Sequence, residues 1–130
     1  MPSRAKDWIA QAQFDLEHAA RSMEGGDFEW ACFAAHQAAE KAIKGVFQSV
    51  AAQVIMGHAI HDMLGELQRT TRVPARLLES GRVLDRYYIA TRYPNAHPAG
   101  APHQHYTRIE ASRAVRHAGQ ILRFCESRLS

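Results

Sequence analysis

Cysteine is scarce in these 130 residues: Cys32 and Cys125 are the only two, each among apolar neighbours in a helical pattern and neither in a C-x-x-C arrangement. That leaves no disulfide framework to hold the chain and points to buried thiols in a reducing, cytoplasmic compartment. Long apolar runs are missing as well. Nowhere do the ~18 apolar residues of a membrane span run together, and the opening MPSRAKDW contains no apolar stretch before a small-residue cleavage site. A protein with no membrane association is expected. Strand-like alternation, internal repeats and low-complexity tracts are absent too, which removes β architectures and solenoids. Lysine is sparse: of 16 basic residues only Lys6, Lys41 and Lys44 are lysines. The formal charge of +3 says little about nucleic acid, whereas the 13 arginines suit bidentate phosphate contacts and stacking. A GC-rich coding bias would produce the same excess.

What is present is helical periodicity. A chain of this length buries about 65–70% of its unfolded surface, enough for one core without staples, so residues 1–130 are expected to form one domain. Trp8, Ile9, Ala12, Leu16, Ala19, Ala20 and Met23 recur at three- and four-residue steps and predict a first helix from Ala5 to about Met23. Ser3 is its expected N-cap and Gly25-Gly26 its terminator. A second helix opens at Asp27, whose side chain can accept from first-turn amides, and runs to about Val50. It is apolar over most of its girth, with Trp30, Phe33 and Phe47 widening an alanine-rich stripe, and so belongs at the centre of a bundle or at both a core and a dimer contact.

The same helix carries a polar strip of His36, Gln37, Glu40, Lys41 and Lys44, in which Glu40 and Lys44 are spaced for a surface or groove ion pair. After a weakly patterned connection from Ala51 to Gly57, a short third helix is expected from His58 to about Gln68. A fourth begins near Pro74 and should end close to Arg92, because Pro94 biases Tyr93 away from helical geometry. Tyr93 to Tyr106, with three prolines and three histidines, is expected to hold no regular structure and to be either mobile or functional. The last helix runs from about Thr107 to Leu129. The fold class predicted is all-α: an antiparallel up-and-down helical bundle of four main helices plus one short helix.

Three constellations could carry chemistry. His58, His61 and Asp62 have metal-ligand spacing, but no third ligand falls in register and local hydrogen bonding is the simpler reading. His103 and His105 lie in a proline-rich segment and read as exposed loop histidines; no metal or cofactor is expected. Arg92 and His97 differ in kind. They form an R-x4-H pair across the proline-directed helix exit, where an arginine can grip a phosphate with two donors and a histidine can move a proton. That is the minimum for metal-free RNA cleavage, in which the ribose 2′-hydroxyl is the nucleophile. The alternative is structural: a cation complementing the C-terminal end of the helix dipole, with Tyr93 plugging the core.

The run AAHQAAEKAIKGVF, then GHAIHDML, then LDRYYIATRYPN before a final alanine-rich helix resembles the HEPN domain, and the likeness extends from about Lys6 to Leu129. The most specific part is the joint presence of Gln37, Glu40, Lys41 and Lys44 with Arg92-Tyr93-Pro94. The resemblance implies a helical bundle that usually forms a homodimer, is often paired with a minimal nucleotidyltransferase as toxin to its antitoxin, and in many members carries a metal-independent ribonuclease site. Carried over by position, Arg92 and His97 are the catalytic residues. Lys44, Glu40, Lys41, Arg86, Tyr93 and Asn95 are the expected RNA or nucleotide contacts, Asn95 being the intervening polar position and Glu40, Lys41 and Lys44 facing the groove. A non-catalytic nucleotide-binding or scaffold dimer that recruits a nucleotidyltransferase is the other expectation.

Overall fold

The computed structural model describes residues 3–50 and 57–129; the connection expected over Ala51–Gly57 lies, Gly57 apart, outside the described residues. Five α-helices are formed among the described residues: α1 (Ala5–Glu24), α2 (Phe28–Ser49), α3 (Ile60–Leu67), α4 (Ala75–Asp85) and α5 (Arg108–Leu129). There is no strand among the described residues. This is the expected all-α bundle, with α3 the short member.

The periodic apolar stripes explain the packing. Ala31, Ala35, Ala38, Ala39 and Ala42 of α2 are fully buried, and such small side chains let α1 and α5 close on its two sides. Ile43, Ile60, Met63, Leu64, Leu67, Leu77, Leu84 and Ile121 fill the remaining space, drawing α3 and α4 onto the same core. Cys32 and Cys125 are free and buried, and burial pushes each thiol up to about 12, which suits packing rather than reactivity. No helix among the described residues is long and apolar enough to cross a membrane.

Helix ends follow local chemistry in part. Arg4 rather than Ser3 stands at the N-cap of α1, although the Ser3 hydroxyl accepts from the Ala5 amide at 3.0 Å, and Gly26 takes the left-handed φ of 86° just beyond its end. Asp27 does stand at the start of α2, but its side chain makes no capping bond; its carbonyl accepts from the Ala31 amide at 2.9 Å. At α3 the cap comes from another helix: Asp85 Oδ1 and Oδ2 accept from the amides of Ile60 (2.6 Å) and His61 (3.1 Å). Gly81 permits this approach, because a Cβ there would lie 3.0 Å from the His61 amide nitrogen.

The fourth helix stops at Asp85, well short of Arg92, and the corner from Arg86 to Arg92 is a series of tight turns. The reason is how its carbonyls are used. In a continuing helix the Ala90 carbonyl would require an amide from residue 94, and Pro94 has none; His97 supplies that bond through Nε2 at 2.7 Å. The Tyr88 carbonyl accepts from the Arg92 side chain instead, through Nε at 2.9 Å and through Nη2. Arg92 therefore does not sit on a terminal helical turn, and the macrodipole reading fails. Tyr93 does not plug the core either, being 47% exposed. The segment beyond, expected to hold no regular structure, contains two short 3-10 turns, Pro94–Ala96 and Pro102–Gln104, each begun by a proline whose missing N–H is not needed there.

Candidate functional site

On α2, Glu40 and Lys44 are one helical turn apart and their side chains meet at 3.1 Å, but the pair is not on the surface. Their side chains are only 6% and 11% exposed, and the second carboxylate oxygen of Glu40 lies 2.7 Å from Nδ1 of His58, two residues before α3. A buried carboxylate is tolerable only when its oxygens are occupied in this way. Lys41, one residue along, points about 100° away around the helix axis and pairs with Asp15 of α1. It is not brought to the Glu40 cluster.

His36 lies beneath this cluster, fully buried, with Nε2 2.9 Å from the His58 carbonyl. A carbonyl can only accept, so Nε2 carries the proton, and Nδ1 accepts from the Gln37 amide at 3.2 Å. Burial lowers its pKa from the usual 6.5, against the opposing pull of that carbonyl and of Glu40 and Asp85; the ring is held neutral.

Tyr88 joins the cluster to Arg92. Its ring stacks on His58 with centroids 4.1 Å apart and planes 18° from parallel, and it also borders His36 and Phe33. The guanidinium carbon of Arg92 lies 4.3 Å from the Phe33 centroid, 4.8 Å from Tyr88 and 5.2 Å from Tyr93. Three rings and a carbonyl thus fix the plane of one half-buried guanidinium, whose Nη1 makes no hydrogen bond within the described residues. Trp30, 48% exposed, meets Phe33 edge-on and extends the aromatic surface outward.

His97 hangs from the same corner. Its ring stacks on His105 at 4.2 Å and 3°, with Tyr106 edge-on at 5.9 Å. His105 in turn directs Nε2 to the Ala99 carbonyl at 2.6 Å. Each imidazole is thus the Nε2–H tautomer, and Nδ1 is the ring atom left to exchange a proton. Asn95 and Tyr93 are exposed. Arg86 lines two other clefts, one of about 330 Å³ with His61, Asp62, Arg82 and Asp85, the other of about 460 Å³ with Tyr87, Glu110, Arg113 and His117.

Arg92 and Tyr93 meet on this corner and Asn95 and His97 follow them along the chain, while Tyr88 links Arg92 to His58 and so to Glu40 and Lys44; Lys41 and Arg86 stand apart. Sequence reasoning named His58 only for metal spacing or local hydrogen bonding and Phe33 only for packing, and it missed the place of both, and of Tyr88, beside Arg92. For Tyr88 a signal existed, since it precedes Arg92 by four residues; for the His58–Glu40 contact, across 18 residues and two elements, none did. His58 turns Nδ1 to Glu40 and His61 turns its own toward Asp62 at 3.6 Å, and no group of three metal-ligating side chains occurs among the described residues.

Three solved structures share the fold over nearly their full length. TT1696 from Thermus thermophilus is 51% identical with a TM-score of 0.94, the match covering 98% of this chain and 100% of that one. An archaeal HEPN homologue, ST0689, is 35% identical with a TM-score of 0.83 and full coverage of both chains. A HEPN domain protein from Thermotoga maritima, TM0613, is 42% identical with a TM-score of 0.76, over 93% of this chain and 95% of that one. No curated protein matches the chain. A model of the HEPN domain matches residues 5–128, nearly every residue that builds the bundle and its corner. The chain belongs to the HEPN domain family.

Proposed function

We propose that this protein is a cytoplasmic RNA- or nucleotide-binding homodimer in which Arg92 and His97 form a metal-independent ribonuclease site, acting as the toxin of a pair whose antitoxin is a minimal nucleotidyltransferase. The observation that carries the reading is the fixed guanidinium of Arg92, clamped by Phe33, Tyr88 and Tyr93 with Nη1 unused, on the same corner that orients His97. A pre-positioned cation stabilises the charge that builds on a phosphorane without reorganising during the reaction. The ribose 2′-oxygen bonds to phosphorus, the bond from phosphorus to the 5′-oxygen breaks, and the products are a 2′,3′-cyclic phosphate and a 5′-hydroxyl. His97, through Nδ1, moves one of the protons, while Tyr93 and Asn95 contact the RNA beside it and Lys44 adds positive charge behind the site.

The test is cleavage of RNA in the presence of a divalent-metal chelator. Activity is expected to survive chelation and to disappear in Arg92→Ala and His97→Ala; equal cleavage by the unaltered protein and His97→Ala would falsify the catalytic assignment. A second reading draws on the exposure of Trp30, Ile89 and Tyr93 around the corner, an apolar surface suited to a partner. Under it the protein is a non-catalytic dimer that binds nucleotide or recruits a nucleotidyltransferase. Co-purification with such a protein, together with no RNA turnover, distinguishes it.

A further inference from the structure

Cleavage by internal attack requires two proton transfers, one from the 2′-hydroxyl and one to the departing 5′-oxygen, and within the Arg92–His97 pair of one protomer only the imidazole can carry a proton across. A second imidazole, that of His58, stacks on Tyr88, the ring that Arg92 also touches. Nδ1 of His58 lies 2.7 Å from Glu40, whose carboxylate can only accept, so Nδ1 bears the proton and Nε2 the lone pair. That Nε2 makes no hydrogen bond within the described residues, and the side chain is 46% exposed. Every other degree of freedom is restrained. The ring lies flat on Tyr88, its backbone carbonyl is held by His36, and Glu40 is itself fixed by Lys44 in a buried position. A histidine that merely tied α3 to α2 would not need its reactive nitrogen open and its orienting carboxylate buried. Tyr88 also touches Arg92, so imidazole and guanidinium lie no farther apart than their two distances to that ring allow.

We infer that His58, oriented by Glu40, is the general base of the Arg92 site, and that His97 is its general acid. The inference rests on the ribonuclease reading above. Nε2 of His58 takes the 2′-hydroxyl proton as the oxygen–phosphorus bond forms, and Glu40 stabilises the imidazolium that results, as a buried carboxylate does for a catalytic histidine elsewhere. Arg92 offsets the charge on the non-bridging oxygens. Protonated His97 delivers its Nδ1 proton to the 5′-oxygen as that bond to phosphorus breaks. Exchange with water then returns a proton to His97 and removes one from His58. The titratable and charged groups around His58 are Glu40, Lys44 and His36 of α2, His61 of α3, and Asp85 and Tyr88 at the end of α4 and its corner.

His58→Asn is the informative variant, because its amide nitrogen can still donate to Glu40 while nothing occupies the Nε2 position. The expected result is an unchanged melting temperature and RNA affinity, a fall in kcat/KM on the order of 10²–10⁴-fold, and loss of the acid limb of the pH–rate profile with the alkaline limb intact. A dinucleotide analogue with 4-nitrophenolate as leaving group needs no general acid. It should restore His97→Ala but not His58→Asn. If His58→Asn melts early, His58→Gln provides the kinetic readouts, because its amide stands near the Nε2 position but cannot take a proton. An unaltered profile in either variant, or rescue of the His58 variants by the activated leaving group, overturns the assignment while leaving the Arg92–His97 reading in place. Absence of cleavage by the unaltered protein removes both.

Discussion

Arg92 shows what a single residue is asked to do in this protein. Its planar guanidinium is held edge-on by the Tyr88 carbonyl and faced by Phe33, Tyr88 and Tyr93, a geometry a lysine ammonium cannot occupy. Arg92→Lys should therefore keep the charge and lose the function: RNA affinity measured by fluorescence anisotropy should fall at least about tenfold, and stability in urea should drop by only about 1 kcal/mol, the scale of the lost ring contacts. His36 gives a separate prediction. Its folded-state pKa lies below the usual 6.5, with burial the first cause, and His117 is shifted the same way by burial and by Arg116. A depressed folded pKa means that the unfolded chain binds the proton more readily, so stability is fully present above pH 6.5 and is lost as pH falls below it. Urea midpoints should decline from about pH 7 to about pH 5 in the unaltered protein and decline less in His36→Gln, whose amide can still donate to the His58 carbonyl. At this scale the sequence was a partial guide. Arg92 and His97 could be picked out because one motif carries both, whereas the partnership of Glu40 with His58 depends on where two distant elements pack.

At the scale of elements, helical periodicity located α1, α2 and α5 almost to the residue, because long amphipathic stripes overdetermine their type. The end of α4 was not legible. Nothing between Arg86 and Tyr93 is a glycine or a proline, and the turn is made by two side-chain donors, Arg92 and His97, which take carbonyls that a longer helix would have used. The start of α3 follows the same principle, since its cap belongs to Asp85 rather than to a neighbour in sequence. Propensity alone predicts that Gly81→Ala stabilises α4 by roughly 1 kcal/mol. The packing reverses that sign. A Cβ at Gly81 would stand 3.0 Å from the His61 nitrogen and 3.1 Å from its Cα, both backbone atoms that cannot swing aside. The variant should lose about 1–3 kcal/mol by urea denaturation, and hydrogen exchange should speed up first in the amides of Ile60 and His61. Because His58 enters through this junction, RNA cleavage should weaken along with it.

For the whole molecule the central helix is the organising fact: α2 packs on α1 and α5 through small residues and leaves its Glu40–Lys44 turn facing the corner that carries Arg92. If the proposed dimer places two such corners in one cleft, an arginine of one copy can serve the phosphate whose proton is moved by a histidine of the other. Mixing two inactive variants, Arg92→Ala and His97→Ala, separates the arrangements. With sites completed across the dimer, half of the randomly reassembled molecules are mixed and each regains one of its two sites, so about a quarter of the unaltered activity should return. With both residues acting within one protomer, each site in a mixed dimer carries one lesion and nothing returns. The carbonyls that hold the two side chains, those of Tyr88 and Ala90, are two residues apart on one corner, which favours action within a protomer. The expected outcome is therefore no complementation, measured as initial cleavage rate after the variants are unfolded and refolded together. Recovery near a quarter would place His97 opposite the partner's arginine and make dimerisation a condition of activity.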